Sequence, residues 1–146
     1  MELIRLSAGD KEEIKALFSS VFMNEPWNDD WSDGEQLDAY ITDLTGNENS
    51  LSLGLYEDGV FVGAALGSIK HWYSGTEYYI DELFIRTDMQ GKGAGSAFLE
   101  MIQDYLKHMD IHRIFLQTDK SMPAYSFYLK REFEELVGHV SFVREF

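Results

Sequence analysis

The stretch Met89–Ser96, MQGKGAGS, places three glycines at alternate positions directly ahead of a run with helical spacing. Glycine lets backbone amides approach a ligand closely. The first amides of a helix point at whatever sits above them and favour an anion. Gly91, Gly93 and Gly95, with Ala94 and Ser96 between and after them and Lys92 as a local positive charge, are therefore a candidate pyrophosphate cradle. Two phosphate-binding patterns fail on spacing. A Walker loop requires glycine where Arg86 stands, and a dinucleotide fingerprint requires it where Ser96 stands.

A second candidate is electrostatic. Residues 16–69 hold no Lys or Arg but ten acids, so most of the formal charge of -14 lies there. The same stretch contains Trp27 and Trp31, with Asp29 and Asp30 beside them. Carboxylates and aromatic faces together suit a cationic amine, and an acidic solvated surface is the plainer alternative.

These residues need elements to hold them. ELIRLS alternates as a strand, and Asp10 with Glu13 has capping-box spacing ahead of a helix whose apolar stripe is Ile14, Leu17, Phe18, Val21 and Phe22. NEPWNDDWSDGE breaks that pattern, and a second helix through Leu37, Tyr40, Ile41 and Leu44 is expected to end near Gly46. SLSLGLYE and VFVGAALGSIKHW read as strands joined at Asp58-Gly59, a strong hairpin signal. EYYIDELFIR reads as a central strand. From Gly93 onward Phe98, Leu99, Ile102, Tyr105, Leu106 and Met109 recur at helical spacing. RIFLQT is a further strand, MPAYSFYLKRE a helix with Pro123 in its first turn, and EELVGHVSFVREF a closing strand pair.

Composition bounds the rest. At 146 residues, 45% hydrophobic and 14% aromatic, the chain is expected to form a single domain over residues 1–146. With no cysteine it has neither disulfides nor thiolate metal sites, and the four scattered histidines show no metal-ligand spacing, so no metal is expected. The acidic balance argues against nucleic acid. The absence of a long apolar run argues against a membrane partner, and a cytoplasmic location is expected.

LFIRTDMQGKGAGSAFL resembles motif A of the GNAT N-acetyltransferases, in which Gln90, Gly93 and Gly95 fill the places that bind the pyrophosphate of acetyl-coenzyme A. PAYSFYLKREFEE resembles a second segment of that family, with Ala124, Tyr128 and Phe133 in matching order and spacing. The resemblance covers nearly the whole chain. It implies an α/β (α+β) fold with a central mixed, mostly antiparallel sheet of about six to seven strands flanked by about four helices. It also implies acetyl-coenzyme A as donor, with Ser121, Ala124 and Tyr125 as further cofactor contacts. Three positions depart from the family: Ser121 stands where Asn is common, Glu132 where Gly usually precedes the Phe, and Thr87 where Pro is common. The chain stops soon after Arg144, so the last strand is expected to be short or completed by a partner, which makes a homodimer one expected assembly.

Acyl transfer to an amine needs an oxyanion donor, a proton acceptor and a proton donor. The resemblance implies a backbone amide of the segment Leu83, Phe84 and Ile85 as the first, worth about 3 kcal/mol. Tyr128 matches the tyrosine that protonates the leaving sulfur. For the base, Asp81 and Glu82 are adjacent on one strand and so point to opposite faces, unless a bulge intervenes. Position favours Glu82, then Asp81, with an ordered water chain as the alternative. YIDELF and FLQTD are also similar to aminoglycoside 6′-N-acetyltransferases, which would bring Gln117, Thr118 and Asp119 beside the site. The expected acceptor is a cationic small-molecule amine, aminoglycoside-like or a polyamine. A peptide or amino acid derivative is the alternative, and a non-catalytic acyl-coenzyme A sensor is the reading from another class.

Overall fold

The computed structural model describes residues 1–146. Five strands form one sheet in sequence order: β1 (Glu2–Arg5), β2 (Ser50–Glu57), β3 (Val60–Trp72), β4 (Gly75–Ile85) and β5 (Ile114–Leu116). The first four pair antiparallel and β5 joins β4 parallel, so the sheet is mixed. Four helices accompany it: α1 (Lys11–Phe22), α2 (Gly34–Thr45), α3 (Ala94–His108) and α4 (Pro123–Leu129). No helix is long and apolar enough to cross a membrane.

Each sheet face buries one apolar cluster. On one side α3 lays Phe98, Ile102 and Leu106 against Leu51, Leu53, Leu55, Val62, Ala65, Tyr78 and Ile80. On the other, Ile14, Phe18, Val21 and Phe22 of α1 and Leu37 and Ile41 of α2 cover Ala64, Leu66 and Phe84. Full burial of a Leu or Phe side chain contributes about 1.5–3 kcal/mol, so these two stripes fix where the helices sit. The β2–β3 hairpin turns at Asp58 and Gly59, both at positive φ, as the Asp-Gly pair predicts.

Two expectations are corrected. Asp10 does not cap α1 with Glu13. It closes a preceding turn, accepting from the backbone N–H of Ser7 at 2.7 Å, because a carboxylate three residues on reaches that amide first. The closing strand pair does not form either: residues 134–146 hold no strand, and the sheet has five strands, not six or seven. The alternating residues are there, but a strand exists only when an edge takes up its hydrogen bonds, and the tail pairs with neither edge of the sheet.

Candidate functional site

β4 builds the site by an irregularity. Leu66 pairs with Glu82 but Gly67 pairs with Ile80, so Asp81 is an extra residue, a β-bulge. Ile80 and Leu83 consequently both pack on the α3 side although they are three apart. Asp81 and Glu82 therefore share the opposite side and line one cavity. Gly67 makes the bulge possible, because a Cβ there would collide with the carbonyl oxygen of Tyr79.

The same strand supplies free amides. Arg86 N–H bonds Val62 at 2.7 Å, and antiparallel pairing alternates, so Phe84 and Glu82 also spend their backbone groups on β3. Leu83 and Ile85 point the other way. On that side β5 pairs only as far as Ile80–Leu116, so their N–H groups open into the gap between β4 and β5. Of the expected segment Leu83 to Ile85, Phe84 is thus excluded as a donor. Its ring is buried edge-on against Phe18 and Phe22.

The cavity, about 230 Å³, gathers the three expected catalytic residues, Asp81, Glu82 and Tyr128, four of the five expected acceptor contacts, Trp27, Asp29, Trp31 and Asp119, and Leu83 and Ala124 of the expected cofactor contacts, with Gln117 and Thr118. Phe18 and Phe22 complete it from α1. Asp30 does not line it, because its carboxylate accepts from the Ser32 amide at 3.0 Å and holds the loop turn. Four carboxylates and no Lys or Arg line this wall.

Tyr40 is the functional residue that sequence reasoning missed. It lies on the inner stripe of α2, where spacing reads as core. Its hydroxyl donates to Glu82 Oε1 at 2.6 Å, and its ring stacks on Trp31 at 5.2 Å. The Nε1–H of Trp31 is buried without a partner. Burial raises the Glu82 carboxyl to about 7, with the charges of Asp81 and Asp29 adding to the rise and the Tyr40 hydroxyl opposing it. Burial also raises Asp81, against the pull of Lys70. Tyr128 is pushed up by burial and by the charge of Glu82, so it is held protonated as a donor must be.

The glycine loop lies at the other end of the gap. Gly91 and Gly93 have φ of 73° and 84°, a conformation that favours glycine, and Gly93 caps α3. The first helical bond is Ala97 N–H to Gly93 at 3.1 Å, which leaves the amides of Ala94, Gly95 and Ser96 without helical acceptors. Gly95 has a packing reason for being bare, since a Cβ would lie 3.1 Å from the Phe127 ring of α4. Gln90 donates from Nε2 to the Ile85 carbonyl at 2.8 Å and ties the loop to the end of β4, while Lys92 is exposed. Ser96 accepts from Arg131, Ser121 donates to Asp119 at 2.7 Å, and Tyr125 donates to Glu135 at 2.8 Å.

A strand that splays from its neighbour, a bare turn and a helix N-terminus beside the gap agree with the family model that describes the acetyltransferase (GNAT) family and matches residues 13–133. The chain belongs to the GNAT family. Solved structures share the fold of this GNAT chain over nearly its whole length. An aminoglycoside acetyltransferase from an uncultured soil metagenomic sample, solved with sisomicin, is 22% identical at a TM-score of 0.73, covering 99% of this chain and 96% of its own. A ribosomal-protein-alanine N-acetyltransferase from Brucella melitensis biovar Abortus is 19% identical at 0.74, covering 99% and 98%. An integron cassette protein from the mobile metagenome of V. cholerae is 14% identical at 0.79, covering 99% and 91%. At these identities the likeness shows the fold alone. No curated protein sequence matches this GNAT chain.

Proposed function

We propose that this protein transfers an acetyl group from acetyl-coenzyme A to a primary amine of a cationic small molecule, by direct attack with both substrates bound. One observation carries this reading: the bulge in β4 puts a carboxyl near neutrality, Glu82, on the same cavity wall as Tyr128 and beside the unpaired amide of Leu83. A proton acceptor, a proton donor and an oxyanion donor thus surround one space.

The residues present fit acetyl-coenzyme A. Amides of Ala94, Gly95 and Ser96 over the turn at Gly91 and Gly93 would hold its pyrophosphate, with Gln90 keeping the loop in place. Ser121 and Tyr125 are engaged elsewhere in the chain, so Ala124, which lines the cavity, is the better supported of the α4 contacts. When bound, acetyl-coenzyme A supplies the thioester whose acetyl group is transferred. Glu82, ionised, takes a proton from the acceptor ammonium, while Asp29, Asp81 and Asp119 hold that cation at the wall. Leu83 N–H donates to the carbonyl oxygen as it gains negative charge, an effect of about 3 kcal/mol for one preorganised donor. As the new C–N bond forms and the C–S bond breaks, Tyr128 would give its proton to the departing sulfur, and the second proton shed by the nitrogen would return to the tyrosinate by way of solvent.

The carboxylate wall favours a polycationic acceptor over a neutral or anionic one. The aminoglycoside acetyltransferase among the fold relatives is consistent with that choice. Free thiol release from acetyl-coenzyme A, measured across a panel of aminoglycosides, polyamines, amino acid derivatives and peptides, tests the proposal. Turnover should be confined to polycationic amines, with kcat falling about 10²-fold in Tyr128→Phe while the acceptor KM holds. Cofactor binding without turnover on any amine would leave only a sensor, and turnover confined to peptides would move the acceptor class.

A further inference from the structure

The wall that would seat the acceptor also controls the group that would take its proton. Asp81 and Glu82 enter the cavity together at the bulge, Asp29 reaches it from the loop after α1, and Asp119 from the segment after β5, with no Lys or Arg among them. Glu82 is half-buried and the other three are exposed. The elements packed around Glu82 give its anion little support. From α1 come only the rings of Phe18 and Phe22, and from α2 the Tyr40 hydroxyl at 2.6 Å, with the charge of Asp43 acting on that hydroxyl. From α4 comes Tyr128, held protonated, and from β3 Lys70, whose ammonium lies over the Tyr79 ring at 3.9 Å and acts on Asp81 instead.

Like charges in one cavity disfavour one another, and the cost falls on the member that burial already disfavours. That member is Glu82: burial holds its proton, and the charges of Asp81 and Asp29 hold it harder. In the empty cavity the base is thus restrained by its own neighbours. Burial is permanent, but charge can be cancelled. A cation placed against Asp29 and Asp81 removes the part that they contribute and leaves the Tyr40 hydroxyl still supporting the anion. These two carboxylates are the ones open to it. Asp119 is already held by the amide and hydroxyl of Ser121 at 2.8 and 2.7 Å, while Asp29 and Asp81 have no partner of that kind in the chain. The rings of Trp27 and Trp31 on the same wall offer that cation an aromatic face.

We propose that a second positive charge on the acceptor, seated at Asp29 and Asp81, readies Glu82 to take the proton of the first. The inference rests on the reading of Glu82 as the base, and it adds that polycations are selected at the proton-transfer step and not only by how tightly they bind. A monoamine brings the ammonium that must lose its proton and nothing for the wall. A polyamine or an aminoglycoside brings both, so its own charge prepares the base it needs. The protons balance. The one that Glu82 holds in the empty cavity leaves to solvent as the acceptor seats, and the emptied carboxylate then accepts the proton of the reacting ammonium.

Proton release reads this without turnover. A bis(trimethylammonium)alkane carries two fixed charges and has neither a proton to give nor a nitrogen to acetylate, so any proton freed on its binding comes from the protein. Binding heats at pH 7, compared between buffers of different ionisation enthalpy, should show about a quarter to two fifths of a proton released per dication bound. That is the release from a group with its midpoint at about 7 that falls by about half a unit to one unit. Tetramethylammonium should release less, and Glu82→Gln, which keeps the rest of the wall and loses the proton, should bind the dication and release none. With an accepted polycation, the rising limb of kcat, which belongs to the bound complex, should lie about half a unit or more below that of kcat/KM, which belongs to the free enzyme. Binding without release, equal release by the two cations, release that persists in Glu82→Gln, no binding of the dication, or coincident limbs would each overturn the proposal. Absence of acetyl transfer across the whole amine panel would overturn the transferase reading instead, and the proton release is judged apart from it.

Discussion

Burial disfavours the charged form of Glu82, and the hydroxyl of Tyr40, donating at 2.6 Å, opposes it. The balance leaves the carboxyl near 7, where it can be empty of its proton and still take one. For a base the ionised form is active, so kcat/KM should rise with pH through about 7. Tyr40→Phe removes the group that lowers the carboxyl and should move that limb upward, with Tyr40 acting through Glu82. A pH–rate profile checks both, and an unmoved limb in Tyr40→Phe would reduce the tyrosine to packing. The same shift has a cost in stability. The native carboxyl holds its proton at pH values where the unfolded one, near 4.5, has lost it, so stability falls as pH rises from the unfolded value through the folded one. Glu82→Gln should therefore raise stability by about 1–2 kcal/mol above that range and by less below it, after discounting for solvent. Denaturant titration at the two pH extremes measures this, with loss of turnover as the companion result.

At the scale of elements, the periodic parts were legible. Strands β2 to β4, the stripes of α1 and α3, the Asp-Gly hairpin and the helix start at Pro123 all follow from local spacing and turn chemistry. The bulge was not, because alternation cannot say which of Asp81 and its neighbours goes unpaired; that depends on Gly67, which lies on another strand. Gly67→Ala should cost about 1–3 kcal/mol, since the added Cβ would run into the carbonyl oxygen of Tyr79, the backbone of Ile80 and the buried ring of Tyr78. It should also lower kcat/KM about 10²-fold by turning Asp81 or Glu82 out of the cavity. Unfolding and steady-state kinetics on one variant separate the two effects. A second local rule is broken at the end of α4. Phe133 N–H bonds back to Tyr128 C=O, and Glu132 between them has a φ of 65°, so the helix ends in a glycine-type cap without a glycine. Glu132→Gly should stabilise the fold by about 0.5–1 kcal/mol, read as a shift in the denaturation midpoint at unchanged slope. The tail beyond it was misread as a strand pair because β-pattern is local and pairing is not.

For the whole molecule the question is what the charge does. The sequence placed ten acids between residues 16 and 69 but could not say which face the cavity, since that depends on what the neighbouring elements neutralise. Asp38 is taken by Lys11 at 2.9 Å and Lys15 at 3.0 Å, and Asp33 caps α2 through the amides of Glu35 and Gln36. Asp30 holds its own turn. Of the ten, Asp29 alone lines the cavity, where it meets Asp81, Glu82 and Asp119, which arrive from β4 and the segment after β5. If this wall selects cations, Asp29→Asn should raise KM for a polycationic amine about threefold to fivefold, the loss of one solvent-accessible contact of about 1 kcal/mol. Asp33→Asn should leave that KM alone, and its effect should fall on stability, within the roughly 1 kcal/mol that a helix cap contributes. Salt separates the field from the contacts. The screening length is about 8 Å at physiological ionic strength, so added salt should raise KM steeply for polyamines and aminoglycosides, less for a monoamine, and hardly at all for acetyl-coenzyme A held by backbone amides. Equal salt slopes for a monoamine and a polyamine, together with an unchanged KM in Asp29→Asn, would reduce the carboxylate wall to a solvated surface and return the choice of acceptor to the aromatic faces of Trp27 and Trp31.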